Sequence, residues 1–161
     1  MLRRSNYFYI KFRVESKSFL VRQLLYNPSK DFTMTNNTVQ KNKQEKKIFI
    51  VEDEGDMCLL LNIMLQEKEI KLDHAKTLAA AQEYLEKETP SIVILDNKLP
   101  DGLGVDFIAH IKKNYPATKI VMISGYGANA KDIALENGAD IFLEKPFTKQ
   151  QLYYSVKKLL N

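Results

Sequence analysis

Four apolar runs in this 161-residue sequence lead into side chains able to take part in chemistry. Glu52 and Asp53 follow Ile48-Phe49-Ile50-Val51, Asp96 follows Ile92-Val93-Ile94-Leu95, Ser124 follows Ile120-Val121-Met122-Ile123, and Lys145 lies just beyond Ile141-Phe142-Leu143. Apolar runs without polar alternation suit strands buried on both faces of a parallel sheet, and in open α/β sheets ligands bind at the carboxyl ends of the strands. Laid side by side, such strands would gather these residues at one edge. Three carboxylates in one pocket repel, so they either hold protons or bind a cation, and an all-oxygen set without thiolate or imidazole favours Mg²⁺. Asp96 would then be the nucleophile that forms an aspartyl-phosphate, with Lys145 and the Ser124 hydroxyl holding the remaining phosphoryl oxygens. Each residue alone has a plain structural reading: Asp96 or Ser124 as a turn former, Lys145 as a surface charge, the acidic triplet 52–54 as a helix cap. Their recurrence at successive strand ends is what favours the chemistry.

The elements that must position them follow from periodicity. Residues 47–51 read as a first strand, and Met57, Leu60, Leu61, Met64 and Leu65 recur at helical spacing over about 55–68. A short strand at 70–75 precedes a helix capped by Thr77 and stopped at Thr89-Pro90. The third strand, 91–95, runs into a loop made by Pro100, Asp101 and Gly102, then a helix through Val105, Ile108 and Ile111. A fourth strand at 119–123, a weaker helix at 128–137 closing on Asn137-Gly138, a fifth strand at 140–143 and a last helix capped by Thr148 complete the series. Five βα units in residues 47–161 imply a single doubly wound α/β domain with a five-stranded parallel sheet.

Charge divides the chain. Residues 1–47 carry eleven Lys and Arg against three Asp and Glu, whereas 48–161 carry thirteen against seventeen. A basic arm therefore precedes an acidic domain. Within the arm, Phe8, Ile10, Phe12 and Val14 alternate with polar residues as in a strand, and 16–27 has a rough helical stripe. Residues 1–33 form an N-terminal extension, and 34–46 read as a polar linker. A chain starting at Met34 is expected to keep its domain intact. The lone Cys58 points to a reducing, cytoplasmic setting, two isolated histidines do not make a zinc site, and no apolar run is long enough to cross a bilayer.

Four segments together resemble the receiver domains of two-component response regulators: Ile48 to Glu54 its acidic pair, Leu95 to Gly102 its phosphoacceptor motif, Val121 to Gly125 its switch hydroxyl, and Gly138 to Phe147 its lysine-proline motif. The likeness covers about residues 46–161. It implies a flavodoxin-like sheet of order 2-1-3-4-5, with Asp96 accepting phosphate from a histidine kinase or a histidine phosphotransfer protein. Glu52, usually through water, Asp53, Asp96 and the Lys98 backbone carbonyl would hold Mg²⁺, Lys145 would pair with the phosphoryl group, and Ser124 would move toward it with Phe142 following. Lys98 and Tyr126, two positions after Asp96 and Ser124, would flank the path of hydrolytic water and lengthen the phosphoryl lifetime. With no output domain read in the sequence, the expectation is a stand-alone phosphorelay switch that is not an enzyme toward other substrates. It would signal to a downstream protein or form a homodimer through the face of residues 128–160, without membrane contact.

Three alternatives fit less well. A phosphatase with an aspartate nucleophile wants a second Asp where Lys98 stands. A cofactor binder of flavodoxin type needs a phosphate-cradling loop where three acids stand. A nucleic-acid-binding regulator would have to act through the basic arm, which shows no helix-turn-helix pattern.

Overall fold

The computed structural model describes residues 45–125 and 128–161. The chain alternates through β1 (Lys46–Val51), α1 (Gly55–Leu65), β2 (Ile70–Ala75), α2 (Leu78–Leu85) and β3 (Ile92–Asp96). After a hairpin of β4 (Lys98–Leu99) and β5 (Gly102–Leu103) come α3 (Gly104–Asn114), β6 (Lys119–Ser124), α4 (Ala128–Glu136), β7 (Ile141–Glu144) and α5 (Lys149–Leu160). The main sheet is parallel in the order β2-β1-β3-β6-β7, which is 2-1-3-4-5 when its own five strands are counted.

The lack of polar alternation in the strands has the expected cause. Phe49, Val51, Val93, Leu95, Ile120 and Met122 face one buried cluster, closed by residues of α2, α3 and α4. Ile48, Ile50, Ile92, Ile94, Val121 and Ile123 face another, closed by Leu61 and Leu65 of α1 and Leu152 and Val156 of α5. Every residue of β3 is buried, so Asp96 is delivered at the end of the most enclosed strand.

Helix ends follow local chemistry. The Thr77 hydroxyl accepts from Ala80 N at 3.1 Å, and Thr148 forms a capping box with Gln151. Gly138, at φ +106°, takes the chain out of α4 in a conformation that side chains disfavour. Several boundaries differ from the sequence reading by one to four residues: β3, β6 and β7 each end one residue later, at Asp96, Ser124 and Glu144, α2 stops at Leu85, before Thr89-Pro90, and α4 stops at Glu136. α1 ends at Leu65 rather than 68, because 66–69 carry only polar residues and the chain must turn into β2. β1 begins one residue early, at Lys46, through its pairing with Ile70. The loop after β3 is itself a small antiparallel ladder, Lys98 opposite Leu103 and Leu99 opposite Gly102. The strand and helix expected in residues 1–33, the linker as far as residue 44, and Tyr126 lie outside the described residues.

Candidate functional site

At the carboxyl ends of β1, β3, β6 and β7 lies a cleft of about 480 Å³ lined by Glu52, Asp53, Asp96, Lys98, Ser124 and Lys145 among others. The parallel register brings these residues together although 93 positions separate the first from the last: Val51 lies beside Leu95, Asp96 beside Ile123, and Ser124 beside Glu144.

Lys145 Nζ donates to Asp96 Oδ1 at 2.7 Å and to Glu52 Oε2 at 2.9 Å, joining two buried carboxylates with one cation. The other oxygen of Asp96 accepts from Lys98 N at 2.8 Å, and Glu52 Oε1 accepts from Glu54 N at 3.2 Å. Burial, reinforced by the charge of Asp96, raises the Glu52 carboxyl above its ordinary pKa, and the contact with Lys145 only partly offsets this. Burial alone would lower the Lys145 ammonium, but its hydrogen bonds to Asp96 and Glu52 prevail and raise it. The lysine is thus firmly charged in an acidic pocket.

Asp53 is exposed at the mouth, and one oxygen each from Glu52, Asp53 and Asp96 can be chosen so that all lie within 4.8 Å of one another. Among the described residues this is the one such cluster of potential metal ligands. Its donors are all hard oxygens, which suits Mg²⁺ and argues against zinc or copper.

Ser124 is 1 % exposed at the end of β6, and its carbonyl accepts from Lys145 N at 2.8 Å. Phe142 pairs with Met122, and Ser124 with Glu144. Ser124 and Phe142 therefore occupy the same face of neighbouring strands, offset by two residues. Phe142 is partly buried against the cluster that holds Met122. Lys98 is exposed at the rim. Cys58 is half-buried in α1, and its thiol donates to the Glu52 carbonyl at 3.2 Å.

Sequence reasoning missed the fastenings of the loop after Asp96. Gly104 N donates to the Asn97 carbonyl at 2.8 Å, and Val105 N to Asn97 Oδ1 at 3.2 Å, so Asn97 closes the hairpin base and supports the start of α3. A Cβ on Gly104 would stand 2.1 Å from the Asp96 carbonyl oxygen, so no other residue fits there without moving the backbone. At the hairpin tip, Asp101 Oδ1 and Oδ2 accept from Leu78 N and Ala79 N, both at 2.9 Å. The Gly-Leu-Gly spacing at 102–104 was the available signal for the close approach.

Residues 48–157 match a family model described as the response regulator receiver domain. The response regulator protein PilR of Pseudomonas aeruginosa is 37 % identical over 102 residues, 63 % of this chain and 23 % of that protein. The phosphate regulon transcriptional regulatory protein PhoB of Escherichia coli is 29 % identical over 119 residues, 72 % of this chain and 52 % of that protein. The matched part of the chain thus spans about a quarter of the length of the first relative and about half of the second. Among solved structures, a CheY-like response regulator receiver domain protein from Methanospirillum hungatei superposes with a TM-score of 0.66 at 28 % identity, covering 71 % of this chain and 93 % of that one. The beryllofluoride-activated NtrC4 receiver domain dimer gives 0.67 at 33 % identity, covering 70 % and 94 %.

Proposed function

The chain belongs to the response regulator receiver family, and on that premise we propose that Asp96 is its phosphoacceptor, charged by a histidine kinase or a histidine phosphotransfer protein. The observation that carries this reading is the Asp96 carboxylate at the end of β3, 6 % exposed and 2.7 Å from Lys145. A carboxylate oxygen of Asp96 attacks phosphorus, the bond from phosphorus to the donor imidazole breaks, and the imidazole leaves with the electron pair. The product is an acyl phosphate. Lys145 lies within reach of its oxygens, and the Ser124 hydroxyl, buried at the end of the neighbouring strand, moves toward them.

Glu52, Asp53, Asp96 and the Lys98 carbonyl are the oxygens that would hold Mg²⁺. Bound there, the cation offsets charge on the transferring phosphoryl group. The protein acts on no other substrate in this reading, and Lys98, exposed at the rim, shields the acyl phosphate from water.

Output runs through the face of α4, β7 and α5. As Ser124 moves, Phe142, on the same sheet face one strand over, turns inward and reshapes that surface. The surface already exposes Ile133, Leu135, Tyr153 and Tyr154, apolar area suited to a downstream protein or to a second copy. No helix among the described residues is long and apolar enough to cross a membrane, and the proposed setting is cytoplasmic.

The test is incubation with acetyl phosphate and Mg²⁺, followed by mass spectrometry of peptides. Wild type should gain one phosphoryl group on Asp96, lost when Mg²⁺ is chelated, and Asp96→Asn should gain none. Equal labelling of the Asn variant would overturn the assignment.

A further inference from the structure

A carboxylate in a surface turn has no obvious reason to reach a helix 22 residues earlier, yet Asp101 does so with both oxygens. It sits at the tip of the β4-β5 hairpin and takes Leu78 N and Ala79 N at 2.9 Å each. These are the first two amides of α2, which have no partner inside the helix. The third, Ala80 N, already has its own cap in Thr77 at 3.1 Å. α2 therefore has a complete local cap residue and a second, distant one.

The distant cap ties the helix to the hairpin that carries the site. At the base of that hairpin, Lys98 N donates to Asp96 Oδ2, and Asn97 is fastened to Gly104 and Val105. At the tip, Asp101 is fastened to α2, and Gly102 lies so close to it that a Cβ would stand 3.0 Å from Leu78 Cδ1. Between base and tip, Lys98 and Leu99 have a ladder of only two residue pairs, too short to be rigid by itself. Lys98 is the residue whose carbonyl the proposed function assigns to the cation.

We propose that Asp101 is a positioning residue of the site: by clamping the hairpin tip to the amino terminus of α2, it holds the Lys98 carbonyl at the cleft and so sets the affinity for the cation. This inference rests on the proposed use of Glu52, Asp53, Asp96 and Lys98 for Mg²⁺. Asp101 touches neither metal nor phosphate, and acts through the peptide three residues before it.

Full-length protein with Asp101→Ala, Asp101→Asn or Thr77→Ala separates this from simple support of α2. Magnesium chloride is titrated by calorimetry, and labelling rates with acetyl phosphate are taken across Mg²⁺ concentrations. Hydrogen exchange of the Lys98 and Leu99 amides is followed in metal-free protein. Asp101→Ala is expected to weaken Mg²⁺ binding about tenfold, as loss of groups that orient metal ligands commonly does. Its labelling rate should recover at saturating Mg²⁺, and its hairpin amides should exchange faster without metal. Asp101→Asn, which keeps one carbonyl acceptor, should recover part of the loss. Thr77→Ala should lower the melting temperature and leave Mg²⁺ affinity unchanged. Affinity in Asp101→Ala within about twofold of wild type, or an equal loss in Thr77→Ala, would overturn the clamp. If wild type itself neither binds Mg²⁺ nor labels Asp96, the reading of the site fails along with it, and that result is distinct from a wild type that labels while Asp101→Ala matches it.

Discussion

At the carboxyl ends of the strands one lysine, Lys145, serves two buried carboxylates, Glu52 and Asp96, at 2.9 and 2.7 Å. At the amino ends two lysines, Lys112 and Lys119, serve a single carboxylate, Asp140, at 2.6 and 3.3 Å. Asp140 also accepts from Ile120 N at 2.8 Å, and Lys112 donates to the Thr118 carbonyl. The same chemical groups thus reach opposite states. Burial pushes the Asp140 carboxyl up, but Lys112, the Ile120 amide and Lys119 together bring it below its ordinary value, whereas burial leaves Glu52 above its own. The lower cluster is complete within the chain and ties α3, β6 and β7 together. The upper one holds more negative charge than Lys145 can balance, so it is left in want of a cation.

That contrast is broken most directly at the lower cluster. Asp140→Ala takes the acceptor from the Ile120 amide and leaves Lys112 only the Thr118 carbonyl, and should cost about 2 to 3 kcal/mol, or ~10 °C in melting temperature. A fall of under ~2 °C would place this cluster with exposed ion pairs. At the upper cluster the sign reverses: Glu52→Gln keeps an acceptor for Lys145 while removing a disfavoured charge. It should raise the stability of metal-free protein by about 1 kcal/mol, or ~4 °C, while weakening Mg²⁺ binding. A lower melting temperature in metal-free Glu52→Gln would show that the site is electrostatically balanced after all.

The subtlest test is pH. Glu52 has a folded pKa above the ordinary 4.5, so its favourable contribution is complete below 4.5 and lost as pH rises through the folded value. The advantage of Glu52→Gln over wild type should therefore be present at pH 7 and vanish as pH falls to 4.5. Asp140 has a folded pKa below 3.8, so its contribution is present above 3.8 and lost only as pH falls through the folded value. The deficit of Asp140→Ala should persist unchanged across the same interval. Melting curves of the two variants between pH 7 and pH 4.5 check both signs, and parallel behaviour would refute the contrast.

What was legible in the sequence depended on how far apart the interacting parts lie along the chain. Ile92 to Leu95 announces a strand enclosed on both faces without outside help, and Asp96 at its end inherits its position from that run. Glu52, Ser124 and Lys145 follow by the same rule, because parallel strands bring their carboxyl ends together. Asp101 could be read only as a turn former, since its partners are amides of α2 that no local pattern connects to residue 101. The end of α1 at Leu65 was blurred because helical spacing of apolar residues marks a face better than a terminus. In the sequence Phe142 is linked to Ser124 only through the family resemblance, and the pairing of β6 with β7 supplies the physical link by putting both on the same sheet face.

Gly104 carries a last consequence, one of length. Its bare α-carbon rests against the Asp96 carbonyl and its amide is held by Asn97, while Asp101 anchors the far side of the same loop. A loop fixed at its root, its tip and its return has no slack to absorb an extra residue or to spare one. Elsewhere on the surface, insertions settle into connections that can bulge outward. Between Asp96 and Gly104 the number of residues is itself a structural constant, and a deletion or insertion there would change the site as surely as replacing the aspartate.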